Sequence, residues 1–253
     1  MNIAMLVAAH KDYWMPPYPI YKPIQVGAAG KAPLHPEWLR DDTGDQISRK
    51  NAGFCELTGY YWAWKNWRAD VYGTCHYRRY FASRAFWWPR KRRILTANQI
   101  QKLLQNADIV LPPKRHYWIE TRESQYIHAH HARDLQCLRQ VLSEKYPDYL
   151  PEWRQVMHSR GGHIFNMFIA RGPLFDAYCT WLFDILFEVE KRLDVSGYSP
   201  SDQRVFGYLA ERLLDVYVLH NHLRWVQCPV VNLESQHWLR KGRAFVERKF
   251  RNQ

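Results

Sequence analysis

The sequence predicts an α/β domain with a mostly parallel central sheet flanked by helices, and three observations carry that prediction. Short apolar runs of strand length alternate with longer segments in which apolar residues recur every three or four positions. The first run, "NIAMLVAA" at 2–9, is continuously apolar, as a strand covered on both faces should be. Hydrophobic residues make up 47% of the 253 positions and are spread along the chain without repeat or low-complexity tract, enough to bury a sizeable core. One domain is expected over 1–238, followed by a basic tail at 239–253.

After the strand at 2–9 comes a long loop rich in Pro and Gly, with Tyr13, Trp14, Tyr18, Tyr21 and Trp38 to hold it in order. Ser48 is the expected N-cap of a helix running to about Asn66, because Phe54, Leu57, Tyr61 and Trp64 fall on one helical face. "DVYGTCHY" (70–77) reads as a strand. Thr96 and Gln99 form a capping box for a helix to Asn106, and "DIVLPP" is a short strand stopped by proline. Helices near 123–143 and just before Gly161 precede a strand at 163–170, "HIFNMFIA". Pro173 opens an apolar helix to about Leu193. Gly197 and Pro200 break the chain, Ser201 or Asp202 caps a helix to about Leu219, and a last strand lies near 225–231.

The formal charge is +12, and the excess is local: Arg78, Arg79, Arg84 and Arg90 to Arg93 form one cluster and Arg240 to Arg251 another. Such patches suit an anionic partner, whether phosphate, nucleic acid or an anionic membrane, or they are solvated faces. Nucleic-acid binding lacks any recognition motif here, so it is set aside. Cys55, Cys75, Cys137, Cys179 and Cys228 are far apart, without a CxxC pair, which argues against zinc or a disulfide framework. The N-terminus reads as a strand and not a signal peptide, and the most apolar stretch, from Leu174 to Leu193, is interrupted by Asp176, Asp184, Glu188 and Glu190. A cytoplasmic protein, peripheral on the inner face of the membrane, is the expectation.

No GxGxxG, Walker loop or GxSxG occurs. What stands out instead is "GTCHYRRYF" at 73–81: either the strand ends near His76, or its arginines meet anions, since guanidinium forks hold phosphate in bidentate fashion. Pairing with internal carboxylates such as Glu56 or Glu211 is the structural alternative. "DDTGDQISRKN" (41–51) gathers Asp41, Asp42, Asp45, Ser48 and Asn51 at a helix start, where they either receive sugar hydroxyls or simply cap. His128 and His131 share a helix face without a third ligand at a diagnostic spacing, which favours a structural role. Asp202 at a helix start is placed to be a general base or an N-cap.

The segments "AAHKDYWMPPYPIYKPIQVGAAG", "DDTGDQISRKNAGFCELTGYYWAWKN", "YGTCHYRRYF", "DIVLPP", "NMFIARGPLFDAYCTWLFDILFEVEK" and "RVFGYLAERLLDVYV" together resemble a bacterial family of unknown-function domains described as capsular or exopolysaccharide glycosyltransferases. The resemblance spans about residues 2–235. It implies a GT-A-like (Rossmann-like) fold using a UDP-sugar, with some relatives linked to galactofuranose transfer, and a lipid-linked or oligosaccharide acceptor. It places His10, Lys11, Gln25, Val26, Gly27, Asp45, Ser48 and Asn51 near the donor. The paired aspartates that bind Mn2+ or Mg2+ in that fold are missing, and "CHYRRY" stands there instead. His76, Arg78 and Arg79 are therefore expected to clamp the diphosphate and Asp202 to take the acceptor's proton, while a metal through Asp42, Asp45 or Asp202 stays open. Trp87 and Trp88 beside "PRKRR", with the basic tail, suit an anionic membrane surface. A non-catalytic module that binds nucleotide sugars or glycans is the alternative.

Overall fold

The computed structural model describes residues 1–234. The basic tail, its cluster from Arg240 to Arg251 and the expected boundary at 238 lie outside the described residues. In chain order, the first half holds β1 (Ile3–Ala9), β2 (Tyr21–Gln25), β3 (Leu39–Arg40), α1 (Asn51–Phe54), α2 (Leu57–Asn66), β4 (Val71–His76), β5 (Arg79–Phe81), α3 (Ala97–Leu103) and β6 (Ile109–Leu111). It continues through β7 (Arg115–His116), α4 (Arg122–Ala129), α5 (Ala132–Lys145), α6 (Leu150–His158), β8 (Gly161–Gly162), β9 (Ile169–Arg171), α7 (Gly172–Arg192), α8 (Val205–His220), β10 (Trp225–Gln227) and β11 (Val230–Asn232).

The central sheet has the order β10-β6-β9-β4-β1-β2-β3. Neighbours run parallel except at β9, which is antiparallel to both β4 and β6. β5 folds back from β4 and carries β11 beside it. β1 is buried at every position, as its unbroken apolar run requires. Its Leu6 and Ala8 face a core shared with Phe54, Tyr60, Leu138, Phe183 and Leu213 of the helical layer. Met5 and Val7 face a second core, closed by Ile100 and Leu104 and by Tyr13, Trp14 and Tyr18 of the first loop. The loop aromatics, each partly buried, thus act as a second layer of packing. Chain order diverges on the two sides of β1, toward β2 and toward β4, and in open α/β sheets such a switch point opens a crevice at the strands' carboxyl ends.

Four expectations change. The loop after β1 contains β2 and β3, hidden in the sequence by Pro23; β3 pairs only with Ile24 and Gln25, so at Pro23 the strand has an open side and needs no ladder donor there. The expected helix from Ser48 to Asn66 is interrupted at Cys55, where φ is 52°. Its Ser48 does not cap; the hydroxyl donates to Asp41 instead. Asn51 Nδ2 donates to the Cys55 carbonyl at 2.6 Å, competing with the helical ladder. The helix expected over 123–143 divides into α4 and α5, because His130 is extended and both His130 and His131 turn to Asp202. The strand expected over 163–170 shrinks to β9, since residues 163–166 are taken up by contacts with α8. The capping box is present, with Thr96 N–H donating to Gln99 Oε1 at 2.9 Å.

Candidate active site

The carboxyl ends of β2, β1 and β4 lie side by side, Ala8 being in register with both Ile24 and His76. His10 and Lys11 follow β1, and Val26 and Gly27 follow β2, with the Val26 N–H donating to the Ala9 carbonyl at 2.9 Å. β4 ends at His76; Tyr77 and Arg78 form a two-residue turn, and Arg79 opens β5 opposite His76. Tyr77 is the anchor of this hairpin. It is buried, its N–H donates to the Ala8 carbonyl at 3.1 Å, and the rings of His10 and Tyr13 meet it edge to face at 5.1 and 5.2 Å.

The hairpin's cations are held by neighbouring side chains. Arg78 Nη1 donates to Glu234 Oε2 at 2.9 Å, and Lys11 Nζ reaches the other oxygen of the same carboxylate at 3.4 Å. Arg79 stacks its guanidinium 4.3 Å over the Phe165 ring. The Nε atoms of Arg78 and Arg79 are both buried and have no hydrogen-bond partner among the described residues. An unmade bond at a buried donor costs about 1–3 kcal/mol, more for a charged group, so two adjacent ones call for an acceptor. Burial pulls the Arg79 pKa down and the neighbouring Arg78 pulls it further. Burial likewise lowers the His10 pKa, with added repulsion from Arg78, Lys11, His76 and Arg204. Six cationic or protonatable side chains from three parts of the chain therefore share one region.

Behind them stands a wall of carboxylates. Glu56 is buried, with Oε1 accepting from Asn166 Nδ2 at 2.8 Å and Oε2 lying 3.7 Å from His76 Nε2. Burial works to raise the Glu56 pKa, but His76 and the Asn166 amide outweigh it and the carboxyl is held below its usual range. The segment 163–166 is bound along one face of α8 at helical spacing. Asn166 Nδ2 donates to the Gly207 carbonyl at 3.0 Å, the Phe165 N–H to Glu211 Oε1 at 2.8 Å, and the His163 N–H to Asp215 Oδ2 at 3.0 Å. Positions 207, 211 and 215 are each four residues apart, so one helix face grips three steps of an irregular chain. That grip holds Phe165 and Asn166 at positive φ, 78° and 51°. It also places the Phe165 ring under Arg79.

The residues expected near the donor divide into groups. His10, Lys11, His76, Arg78 and Arg79 are brought together. Gly27, Ser48 and Asn51 form a second group, organised by Asp41, which is fully buried and accepts from the N–H groups of Gly27 and Ala28 at 2.8 and 2.9 Å and from the hydroxyls of Ser48 and Thr58. Gly27 has φ +61°, and a side chain there would collide with Asn51 Oδ1 at 2.6 Å. The two groups are joined by Cys55, whose carbonyl takes Asn51 and whose sulfur lies 3.2 Å from Arg204 Nε. Gln25 is buried as a brace, its amide bonding the Ala32 carbonyl and the Leu34 N–H. Asp45 is not part of either group; its carboxylate receives the Tyr61 hydroxyl at 3.0 Å. Asp202 opens a short 3-10 turn before α8 and bonds Ser199 Oγ at 2.7 Å and His130 Nδ1 at 3.2 Å, with His131 Nε2 at 3.8 Å. Those bonds, Ser199 first and His130 next, lower its pKa.

Among the described residues no three His, Cys, Asp or Glu side chains are grouped to hold a metal ion. Of the acids kept open for one, Asp42 is paired with Arg40 at 2.7 Å, and Asp45 and Asp202 are engaged as above. His128 pairs with Glu120 at 2.6 Å, apart from His131. These donors do not fit a resident divalent ion, and no step is derived through one.

Arg204, Asn166 and the central role of Asp41 were not among the residues expected from the sequence. Arg204 had a signal, two positions after Asp202 at the same helix start, but its approach to His10 is tertiary. Asn166 had only the tolerance of asparagine for left-handed backbone.

A solved structure described as the apo form of WbbM, a bifunctional glycosyltransferase, superimposes with a TM-score of 0.83 at 28% identity, over 93% of this chain and 46% of that one. The chain thus spans about half the length of that protein, and the match bears out the GT-A-like α/β fold. No curated protein shows significant similarity to the chain. The family described as a domain of unknown function, DUF4422, matches residues 4–222, and the chain belongs to that family.

Proposed function

We propose that the chain is a glycosyltransferase that moves a sugar from a UDP-sugar, with UDP-galactofuranose the first candidate, to a hydroxyl of a growing, lipid-linked surface polysaccharide. The observation that carries this reading is the pair of buried, unpartnered guanidinium Nε atoms of Arg78 and Arg79 in a crevice at the carboxyl ends of β1 and β4, within range of His10, Lys11, His76 and Arg204. A diphosphate there would gain charge as the bond from the anomeric carbon to its β-phosphate oxygen breaks. Fixed cations placed where that charge develops lower the barrier. The incoming hydroxyl forms the new bond to the anomeric carbon and gives up its proton. Asp202 is our candidate to receive it: its carboxylate is partly open, is ionised well into the acid range, and has His130 and His131 against it to pass the proton on.

The test is UDP release from a panel of UDP-sugars with and without oligosaccharide acceptor, in the presence and absence of EDTA. Acceptor-dependent UDP release that persists in EDTA is expected. Arg79→Ala should lose about 10²–10³-fold in kcat, as when one donor to a developing oxyanion is removed, and Arg79→Lys should recover little because it lacks the fork. UDP binding without turnover across the panel would replace the enzyme reading with that of a nucleotide-sugar-binding module. Loss of activity in EDTA would remove the cationic clamp as the principal electrophile.

A further inference from the structure

Two loops outside the crevice carry more exposed apolar surface than the fold needs. In the first, three consecutive residues, Phe86, Trp87 and Trp88, are 78%, 71% and 54% exposed. In the second, Trp118 and Ile119 are 87% and 90% exposed. Isolated apolar residues on a surface need no explanation, but an unbroken aromatic triplet is a patch that a partner covers. Cations flank the first tip on both sides and precede the second, which Glu120 follows. Arg84, Arg90, Lys91 and Arg92 are exposed around the triplet, and Lys114, Arg115 and His116 precede Trp118. Neither 83–93 nor 114–119 contains an acid.

The loops are also closed at their bases. Ala82 and Ile94 form an antiparallel bridge, the Ser83 N–H donates to the Arg93 carbonyl at 2.7 Å, and the Arg93 guanidinium returns to the Ser83 carbonyl at 3.1 and 3.2 Å. The second loop is pinned where β7 pairs with β8 and the Tyr117 N–H donates to the Arg160 carbonyl at 2.7 Å. Much of the ordering cost of presenting the tips is therefore met before any partner arrives.

We propose that these loops dock the protein on an anionic lipid bilayer, with Phe86, Trp87, Trp88, Trp118 and Ile119 entering the interface and the flanking cations meeting lipid phosphates. Only a surface that is apolar and anionic together answers both features. A second copy would bring cations against cations, and residues 235–253, with Arg240, Lys241, Arg243, Arg248, Lys249 and Arg251 against Glu247, carry the same sign. Single-stranded nucleic acid would stack on the tryptophans but leaves Ile119 without a partner. The first loop abuts the candidate active site. Arg90 Nη1 donates to the Asn232 carbonyl at 3.0 Å, Asn232 lies opposite Arg79 between β11 and β5, and Lys91 Nζ sits 4.3 Å over Trp14, whose ring meets Tyr80. Docking itself stands apart from the transferase reading; delivery of a membrane-borne acceptor to the arginine hairpin rests on it.

The experiment is cosedimentation of the full chain with phosphatidylcholine vesicles, with and without phosphatidylglycerol, alongside tryptophan emission. Binding to the anionic vesicles with a blue shift is expected, weakening as salt is added. Lys91→Gln and Arg92→Gln should each cost roughly fivefold in partitioning. Phe86→Ala/Trp87→Ala/Trp88→Ala should weaken binding and reduce the shift to what Trp118 supplies, and Trp118→Ser/Ile119→Ser should weaken binding independently, all with an unchanged thermal transition. Because the readout is vesicle binding, it holds or fails whether or not UDP is released. The proposal is overturned if neither vesicle binds the protein or if the triple variant binds as the parent does. It is equally overturned if the triple variant converts a dimer to a monomer, or if a single-stranded oligonucleotide outcompetes the vesicles for these loops.

Discussion

Under the proposed function, His10 is a single residue through which charge would be coupled to binding. Burial and the nearby cations, Arg78 first, hold its pKa below the usual 6.5, so near neutrality its ring is uncharged in the free protein. A diphosphate seated among the same cations would reverse the local field and favour the protonated ring. Binding should then take up a proton, and affinity for UDP should rise as pH falls from about 7 toward the lowered pKa, then level off. Calorimetric titration with UDP in two buffers of different ionisation enthalpy reads the proton directly; His10→Asn should remove the uptake while leaving UDP binding measurable. Equal proton uptake in His10→Asn would place the titrating group elsewhere. The adjacent arginines and His76 were legible because cations at a strand end are unusual enough to ask for a partner. The residues that complete their setting were not, since Arg204 lies 126 positions after Arg78 and meets the crevice only through folding.

At the scale of elements, α8 is the part that holds the site in shape. Its Asp215 is a buried ion-pair centre, bonded to the Arg122 guanidinium and to both the backbone N–H and the imidazole of His163. Burial opposes its charge, but His163 and Arg122 more than compensate, and its pKa lies below the usual carboxylate range. A depressed folded-state pKa contributes stability that is present above the unfolded value, about 3.9, and is lost as pH falls through the folded value. Asp215→Ala should therefore cost about 3–5 kcal/mol near neutral pH, because Arg122 is left buried without its partner. Urea unfolding of the parent should weaken steeply below about pH 4, and the variant's curve should be flatter there. A variant as stable as the parent at pH 7 would show that the pair is only self-compensating. This face of α8 explains what was legible among the elements and what was not. Apolar periodicity revealed the helix itself, and the unbroken run revealed β1. The irregular chain at 163–166 read as a strand because its side chains are those of a strand; only the carboxylates and carbonyl at 207, 211 and 215 make it otherwise. The break at Cys55 was hidden for the same reason, the Asn51 side chain outbidding the backbone ladder.

For the molecule as a whole, the formal charge of +12 and its concentration in a few places would make the proposed association with an anionic nucleotide a two-stage process. The exposed cations of the loop 84–93 stand in solvent, while those of the hairpin 76–79 are half-buried beside apolar walls. The first set acts at a distance and is screened by salt, whose Debye length falls from about 30 Å at 0.01 M to about 8 Å at physiological strength. The second set acts on contact, where screening is weak. The association rate constant for UDP should therefore drop with added salt, and Lys91→Gln/Arg92→Gln should lower that rate and flatten its salt dependence while leaving dissociation nearly unchanged. Arg78→Ala should do the reverse, speeding dissociation with little change in the salt slope. Stopped-flow mixing with a fluorescent UDP analogue separates the two, and a Lys91→Gln/Arg92→Gln variant whose dissociation rate changes more than its association rate would mean that the loop cations touch the nucleotide instead of steering it.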